Sequence, residues 1–281
     1  MKLFFTPSTQ HLAPKIDGAK ETYISKTFSD GEKYIRVEKE VSGKVCVIAN
    51  TNPPAENLLE LFFLLDALQR LPTEIHLLIP YFAYARQDRI TQMGECLSIK
   101  VVSDFLQYFR LKRVVVLHMH SQRAERYLDY ENVLPLHLVS SLTNRMDAIV
   151  APDKGGIPFA SAVGRECGLP VIRMEKKRIT DKRVEIIEVS DNVKGKRVMI
   201  VDDMIATGGT IIKATEKLID EGAREVRVYA THGIFGGNAR EKLEKSPIRQ
   251  IYVTNSIPQK SKGKIRVIDI SMFLHEVIKD I

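Results

Sequence analysis

Residues 198–210 (VMIVDDMIATGGT) carry the densest chemistry in the chain. An apolar run delivers two adjacent carboxylates, Asp202 and Asp203, to a turn of small residues. That turn is Ala206, Thr207, Gly208, Gly209 and Thr210, and a helical pattern follows it. Glycines accept positive φ and let the backbone approach a ligand closely. Successive N–H groups at a helix start form an anion nest, to which the two threonine hydroxyls add donors. A phosphate monoester suits such a nest. The carboxylates suit the hydroxyls of an attached sugar, or a metal that those hydroxyls ligate. The loop is not a P-loop, because GxxxxGK[ST] is missing.

Further groups lie along the chain. Residues 151–156 (APDKGG) make a second glycine-rich strand-to-helix loop with Asp153, Lys154, Gly155 and Gly156. Residues 28–32 (FSDGE) are a short acidic turn containing Phe28, Asp30, Gly31 and Glu32. Arg86 and Gln87 follow the apolar run that ends at Pro80, and His118 and His120 close another. Residues 175–183 (EKKRITDKR) are dense in cations, with Lys176, Lys177 and Arg178 in sequence. Taken singly, these read as a surface turn, a polar strand end and a solvated hairpin.

Elements that alternate in type must position these groups. Buried-strand patterns at 44–49, 74–79, 113–117, 148–151, 171–174, 197–201 and 225–230 are β-branched and short. Helical patterns at 57–70, 97–109, 157–167 and 210–221 fall between them. This rhythm predicts an α/β fold with mainly parallel sheets flanked by helices. A weak repeat supports two copies of one unit: Gly43-Lys44 and Glu74-Ile75 recur as Gly195-Lys196 and Glu225-Val226. The expected domains are 1–142 and 143–281. In the first copy the place of the nest reads Ala49-Asn50-Thr51-Asn52-Pro53-Pro54, without acids or glycines, so only the second domain is expected to keep the sugar-phosphate site.

Composition narrows the partner. The net charge of +7 suits an anionic partner, either a phosphorylated metabolite or a nucleic acid. No aromatic RNA-binding motif or zinc spacing favours the latter, so no nucleic acid partner is expected. Three scattered cysteines suit a reducing cytoplasm. No apolar run reaches the ~18 residues of a membrane span, and the first residues do not read as a signal peptide.

The strand, acidic pair and TGGT together resemble the signature of type I phosphoribosyltransferases. With the segments at 28–32, 84–89, 118–122 and 151–156 in this order, the chain resembles the ribose-phosphate diphosphokinases, most like their short archaeal form. The resemblance covers nearly the whole sequence. It implies an enzyme of nucleotide biosynthesis with two phosphoribosyltransferase-like domains, in which the C1 hydroxyl of ribose 5-phosphate attacks the β-phosphorus of ATP. The products are 5-phosphoribosyl 1-diphosphate and AMP. By resemblance, Phe28, Asp30, Gly31 and Glu32 read the adenine from a neighbouring subunit, and Arg86, Gln87 and His120 contact ATP. Residues 206–210 hold the 5-phosphate, Asp202 and Asp203 the ribose, and Asp153, Lys154, Gly155 and Gly156 lie beside the diphosphate. Lys176 and Arg178 are the catalytic cations, Arg178 also touching ribose 5-phosphate, and His120 and Asp153 are ligands of Mg²⁺. The resemblance further implies a homodimer or homohexamer. His118 and Ala206 depart from it, since many members carry Asp at both places. A base-transferring phosphoribosyltransferase and a non-catalytic regulator are the competing readings on the same fold.

Overall fold

The computed structural model describes residues 1–38, 40–178 and 185–281, with side chains of 176–178 and 185–187 excepted. The chain divides into two units, Met1–Leu134 with Ser256–Pro258 and Asp269–Ile281, and Pro135–Asn255 with Gln259–Ile268. The division therefore falls at 134/135 rather than at 142, and the end of the chain belongs to the first unit.

In the first unit, β1 (Lys2–Phe5), β2 (Ala19–Lys20), β3 (Tyr23–Thr27), β4 (Lys33–Val37) and β5 (Gly43–Ile48) precede α1 (Glu56–Gln69). There follow β6 (Thr73–Ile79), α2 (Ser98–Gln107), β7 (Leu111–Leu117) and β8 (Glu131–Val133). Six strands form one parallel sheet in the order β2-β1-β5-β6-β7-β8. Strands buried on both faces need near-continuous apolar runs, and 45–48 (VCVI) and 114–117 (VVVL) are such runs, fully buried. Leu61, Leu64, Leu65 and Leu68 of α1 pack with Val45, Val47, Leu77 and Ile79 in one core. β3 and β4 form a separate antiparallel hairpin.

The second unit contains α3 (Leu136–Ser140), β9 (Ala148–Ala151), α4 (Ile157–Cys167), β10 (Val171–Arg178), β11 (Glu185–Val189) and β12 (Arg197–Ile205). It continues with α5 (Gly209–Asp220), β13 (Glu225–Gly233), α6 (Ala239–Lys245), β14 (Gln250–Thr254) and β15 (Ile265–Ile268). The sheet order is β11-β10-β9-β12-β13-β14-β15, parallel except for the β10–β11 pair. Val150, Ile200, Val228 and Ile251 carry its core across four strands. The last helix, α7 (Ser271–Lys279), lies in the first unit, where Lys15 pairs with Asp269 at 2.6 Å.

Most predicted elements recur within two residues of their expected bounds. Two differences matter for the site. β12 runs on to Ile205, because its ladder with β13 continues through Asp202↔Ala230 and Met204↔His232. The two carboxylates thus stand within the strand, not beyond it. β10 runs on to Arg178, paired with β11 through Glu175↔Glu188, Lys176↔Ile187 and Arg178↔Glu185. The first part of the basic segment is therefore a β-ladder. Residues 179–184, the rest of it, lie outside the described residues.

Candidate functional site

In an open parallel sheet, ligands bind beyond the carboxyl ends of strands where the strand order reverses. In the second unit the chain leaves β9 toward β10 on one side and later returns to place β12 on the other, so the reversal lies between β9 and β12. Both glycine-rich loops start there. After β12, Ala206 and Thr207 lead to Gly208, whose φ of 79° and ψ of −5° make the left-handed turn that opens α5. The positive φ favours glycine, and a Cβ at Gly208 would stand 3.2 Å from the Leu243 side chain, which would have to give by a few tenths of an ångström. A second loop braces the turn: Ile234 and Phe235 N–H donate to the Ile205 carbonyl, and Gly236 N–H donates to that of Ala206 at 2.9 Å. Phe235 itself has φ 51° and lies 4.6 Å beneath the Arg240 guanidinium. The sequence reading missed this brace, although the glycine pair in 232–237 (HGIFGG) marks a turn beside the nest.

After β9, Asp153 Oδ1 accepts from Gly155 N–H at 2.9 Å and Gly156 N–H at 3.1 Å, which fixes the entry to α4. Lys154 reaches Glu175 of β10 at 3.6 Å, an exposed pair. Asp202 lies close to Asp203 and within the field of Asp153. Burial, then the Asp203 charge, then the Asp153 charge push its carboxyl well above the usual range. Three carboxylates therefore converge on one crevice, and burial with the neighbouring charge makes ionisation of the first unfavourable. A divalent cation or a cluster of hydroxyl donors would relieve that repulsion. Among the described residues, no three His, Cys, Asp or Glu side chains are grouped to hold a metal on their own. Mg²⁺ is usually held by one or two carboxylates with substrate phosphates and water, so the donor set fits it only in company with a substrate.

The first unit has its own reversal, between β1 and β5, and there the crevice is closed. Asn50 and Thr51 are fully buried. Asn50 donates through Nδ2 to the Ser256 carbonyl at 2.7 Å and accepts through Oδ1 from Tyr81 N–H at 2.8 Å. Thr51 Oγ1 accepts from Ala83 N–H at 2.7 Å, and Thr9 Oγ1 donates to the Ile48 carbonyl at 2.6 Å. The side chains of Asn50 and Thr51 are thus spent inside the protein, while Asn52 Oδ1 is buried without a partner.

The remaining predicted residues belong to the first unit, apart from the basic segment. Residues 28–32 form the tip of the β3–β4 hairpin: Phe28 N–H donates to the Glu32 carbonyl at 2.8 Å, and Gly31 has φ 96°. Phe28, Asp30 and Glu32 are exposed there. The hairpin is tied to α1 by Glu60, a nearly buried carboxylate that accepts from Tyr23 Oη, Ser25 Oγ and Lys33 Nζ at 2.8–3.0 Å. Arg86 and Gln87 are exposed on the loop after β6. After β7 the left-handed turn at His118, φ 45°, buries that histidine and leaves His120 exposed. Asp153, Asp202 and Asp203 are thus brought together in one unit with the glycine turn that opens α5. Lys176 and Arg178 lie on β10, and their side chains lie outside the described residues.

Fold and site define an α/β protein of two phosphoribosyltransferase-like units, of which the second carries a left-handed glycine turn at the start of α5 beside three carboxylates. The comparisons with known proteins are narrower. Residues 1–109 match the family described as the N-terminal domain of ribose phosphate pyrophosphokinase, and residues 112–281 match the phosphoribosyl synthetase-associated domain. A ribose-phosphate pyrophosphokinase of Aquifex aeolicus is 35% identical over 91% of this chain and 86% of its own. One from Pyrococcus furiosus is 39% identical over 83% and 85%. The crystal structure of phosphoribosylpyrophosphate synthetase from Mycobacterium smegmatis superposes with a TM-score of 0.89 at 27% identity, covering 99% of this chain and 97% of that one. The chain belongs to the ribose-phosphate pyrophosphokinase family.

Proposed function

We propose that the crevice between β9 and β12 is the ribose 5-phosphate site of an enzyme that transfers the diphosphoryl group of ATP to ribose 5-phosphate. Family membership carries the reaction, and one observation carries the site: the left-handed Gly208 turn opening α5 beside three converging carboxylates. In this reading the N–H groups and hydroxyls of residues 206–210 bind the 5-phosphate. Asp202 and Asp203 accept from the ribose hydroxyls and set the sugar so that its C1 oxygen meets the β-phosphorus in line. That oxygen forms a bond to phosphorus as the bond to the α-phosphate oxygen breaks, AMP leaves, and the hydroxyl proton is lost. Such a transfer rests on positioning and charge neutralisation.

Lys154, Gly155 and Gly156 lie along the transferred diphosphate. Arg86, Gln87 and His120 hold the ATP chain, and Phe28, Asp30 and Glu32 of another subunit receive the adenine, whose amine donates to carboxylates. Lys176 and Arg178 face the charge that develops during transfer. The ladder's period of two supports this register, since positions 176 and 178 share a face of β10 and position 177 lies on the other. Asp153 and His120, with substrate oxygens, would hold Mg²⁺, which neutralises phosphate charge when bound. An assembly of at least two chains and a cytoplasmic location complete the reading, the latter supported by free Cys46, Cys96 and Cys167. No helix among the described residues is long and apolar enough to cross a membrane.

Titration calorimetry tests the site. Asp203→Ala and Gly208→Val each weaken ribose 5-phosphate binding at least tenfold. Unchanged affinity in both would place the sugar phosphate elsewhere.

A further inference from the structure

The loop that backs the Gly208 turn is itself held from behind. Phe235 is a bulky residue at φ 51°, a conformation that costs free energy and persists only where the surroundings impose it. Three contacts impose it here. Its N–H donates to the Ile205 carbonyl at 3.1 Å. Its ring packs so closely on Gly233 that a Cβ there would stand 2.6 Å from it. The Arg240 guanidinium lies over the ring, 4.6 Å from its centre. Arg240 has a partner of its own. Its Nη2 donates to Gln259 Oε1, and Gln259 Nε2 donates to the Gly233 carbonyl at 2.6 Å. Gln259 thus joins the carbonyl at which β13 ends to the cation over Phe235. Both side chains are half-buried.

We propose that Arg240 and Gln259 are positioning residues for the sugar phosphate. They hold residues 234–236, and the N–H groups of that loop hold the carbonyls of Ile205 and Ala206, which lead into the Gly208 turn. α6 supports the turn at a second point. Leu243, three positions after Arg240 and so on the same face of the helix, packs against Gly208. The chain of contacts from Gln259 through Arg240 and Phe235 to Ile205 and Ala206 lies wholly inside the second unit. With those two carbonyls fixed, the peptide groups that follow them are oriented before a ligand arrives, so less ordering remains to be done on binding. A guanidinium suits this post, because it stacks flat on a ring while donating in its own plane to an amide, which an ammonium cannot do.

The inference deepens the proposed function and rests on it for the identity of the ligand. The clamp itself stands on the hydrogen bonds and the ring contact. Neither Arg240 nor Gln259 belongs to an acidic or glycine-rich motif, so only their neighbours in the fold connect them with the site.

Steady-state kinetics and amide hydrogen exchange on the full chain test the proposal. Arg240→Ala and Gln259→Ala are each expected to raise KM for ribose 5-phosphate about tenfold, the loss of one well-aligned hydrogen bond to a charged group. KM for ATP and kcat are expected to stay near the parent's. Poorer folding alone would lower the amount of active enzyme and leave KM in place, so the split separates positioning from stability. The double variant is expected to be no worse than the poorer single one, because both residues act through one chain of contacts. Arg240→Lys, which keeps a cation over the ring without the planar fork, is the milder variant and raises KM less. Lys242→Ala, exposed on the same helix, is expected to change neither constant. Circular dichroism confirms that each variant folds. Exchange over residues 205–210 and 234–236 is expected to quicken in both alanine variants. An unchanged KM for ribose 5-phosphate, an equal rise for both substrates, effects that multiply in the double variant, or unchanged exchange over 205–210 would overturn the proposal. If the parent makes no 5-phosphoribosyl 1-diphosphate, the proposed function fails and exchange alone decides the clamp: faster exchange over 205–210 upholds it, and unchanged exchange overturns it.

Discussion

Asp202 is the residue at which structure and chemistry meet most tightly. Its carboxyl is raised by burial and by two neighbouring acids, so the folded protein binds that proton more tightly than the unfolded chain does. The folded state therefore loses stability as pH rises from the ordinary carboxylate range up through the raised value, and no further loss follows above it. Asp202→Asn removes that penalty and keeps an acceptor for Asp203 N–H, which now donates to Asp202 Oδ1 at 2.9 Å. Without ligands, its melting temperature is expected to exceed the parent's by an amount that grows as pH rises above the ordinary carboxylate range. An offset that does not change with pH in thermal melts would mean that the Asp202 carboxyl is not raised. The cations call for a different measurement. If Lys176 acts on charge that appears only during transfer, Lys176→Ala is expected to lower kcat on the order of 10²–10³ while KM for ATP barely moves. Lys177→Ala, on the other face of the ladder, is expected to do much less. Equal effects in steady-state kinetics would remove the distinction between the two faces.

Among the elements, the β3–β4 hairpin shows how a buried charge positions an exposed group. Glu60 holds three donors from both strands, and Lys33 keeps about a fifth of its side chain in water, 22%. Glu60→Leu leaves those donors without an acceptor and is expected to cost about 2–4 kcal/mol, a little less than a fully buried pair. If the tip serves ATP, Glu60→Gln, which keeps acceptor capacity but loses the charge, raises KM for ATP several-fold with kcat retained. A rise in KM for ribose 5-phosphate instead would separate the hairpin from the nucleotide.

The central elements were legible from sequence because apolar runs such as 114–117 (VVVL) and glycine turns such as 207–210 (TGGT) carry their own physics. The strand 148–151 and the helix 157–167 have the predicted bounds. The outer strands were not legible. β2 is two residues long and fully exposed, and β15 holds four residues with a broken apolar pattern, so each exists only through its neighbour. The extensions of β10 and β12 had the same cause: polar residues, unreadable as strand by periodicity, are carried by a paired partner. Glu60 was invisible for the opposite reason, being an acid inside a helix stripe whose donors come from 27 to 37 positions away.

At the scale of the molecule, one architecture has been used twice to different ends. Both units reverse strand order beside a loop and a helix. In the proposed reading, the loop of the second leaves N–H groups and carboxylates for a ligand. In the first, Asn50 and Thr51 consume theirs inside the fold. The first unit is accordingly expected to bind no sugar phosphate and to supply exposed surface and nucleotide contacts. The sequence difference behind that expectation is plain, since 49–54 (ANTNPP) lacks the acids and glycines of 202–210. What it did not carry was the end of the chain, because the assignment of 269–281 to the first unit depends on long-range contacts that leave no local pattern.

The most direct test of the whole account is to follow label from [β-³²P]ATP in the presence of ribose 5-phosphate and Mg²⁺. The expected result is transfer of the label to 5-phosphoribosyl 1-diphosphate, with AMP formed in equal amount and only when ribose 5-phosphate is present. Formation of ADP, or of AMP without the sugar phosphate, would contradict it.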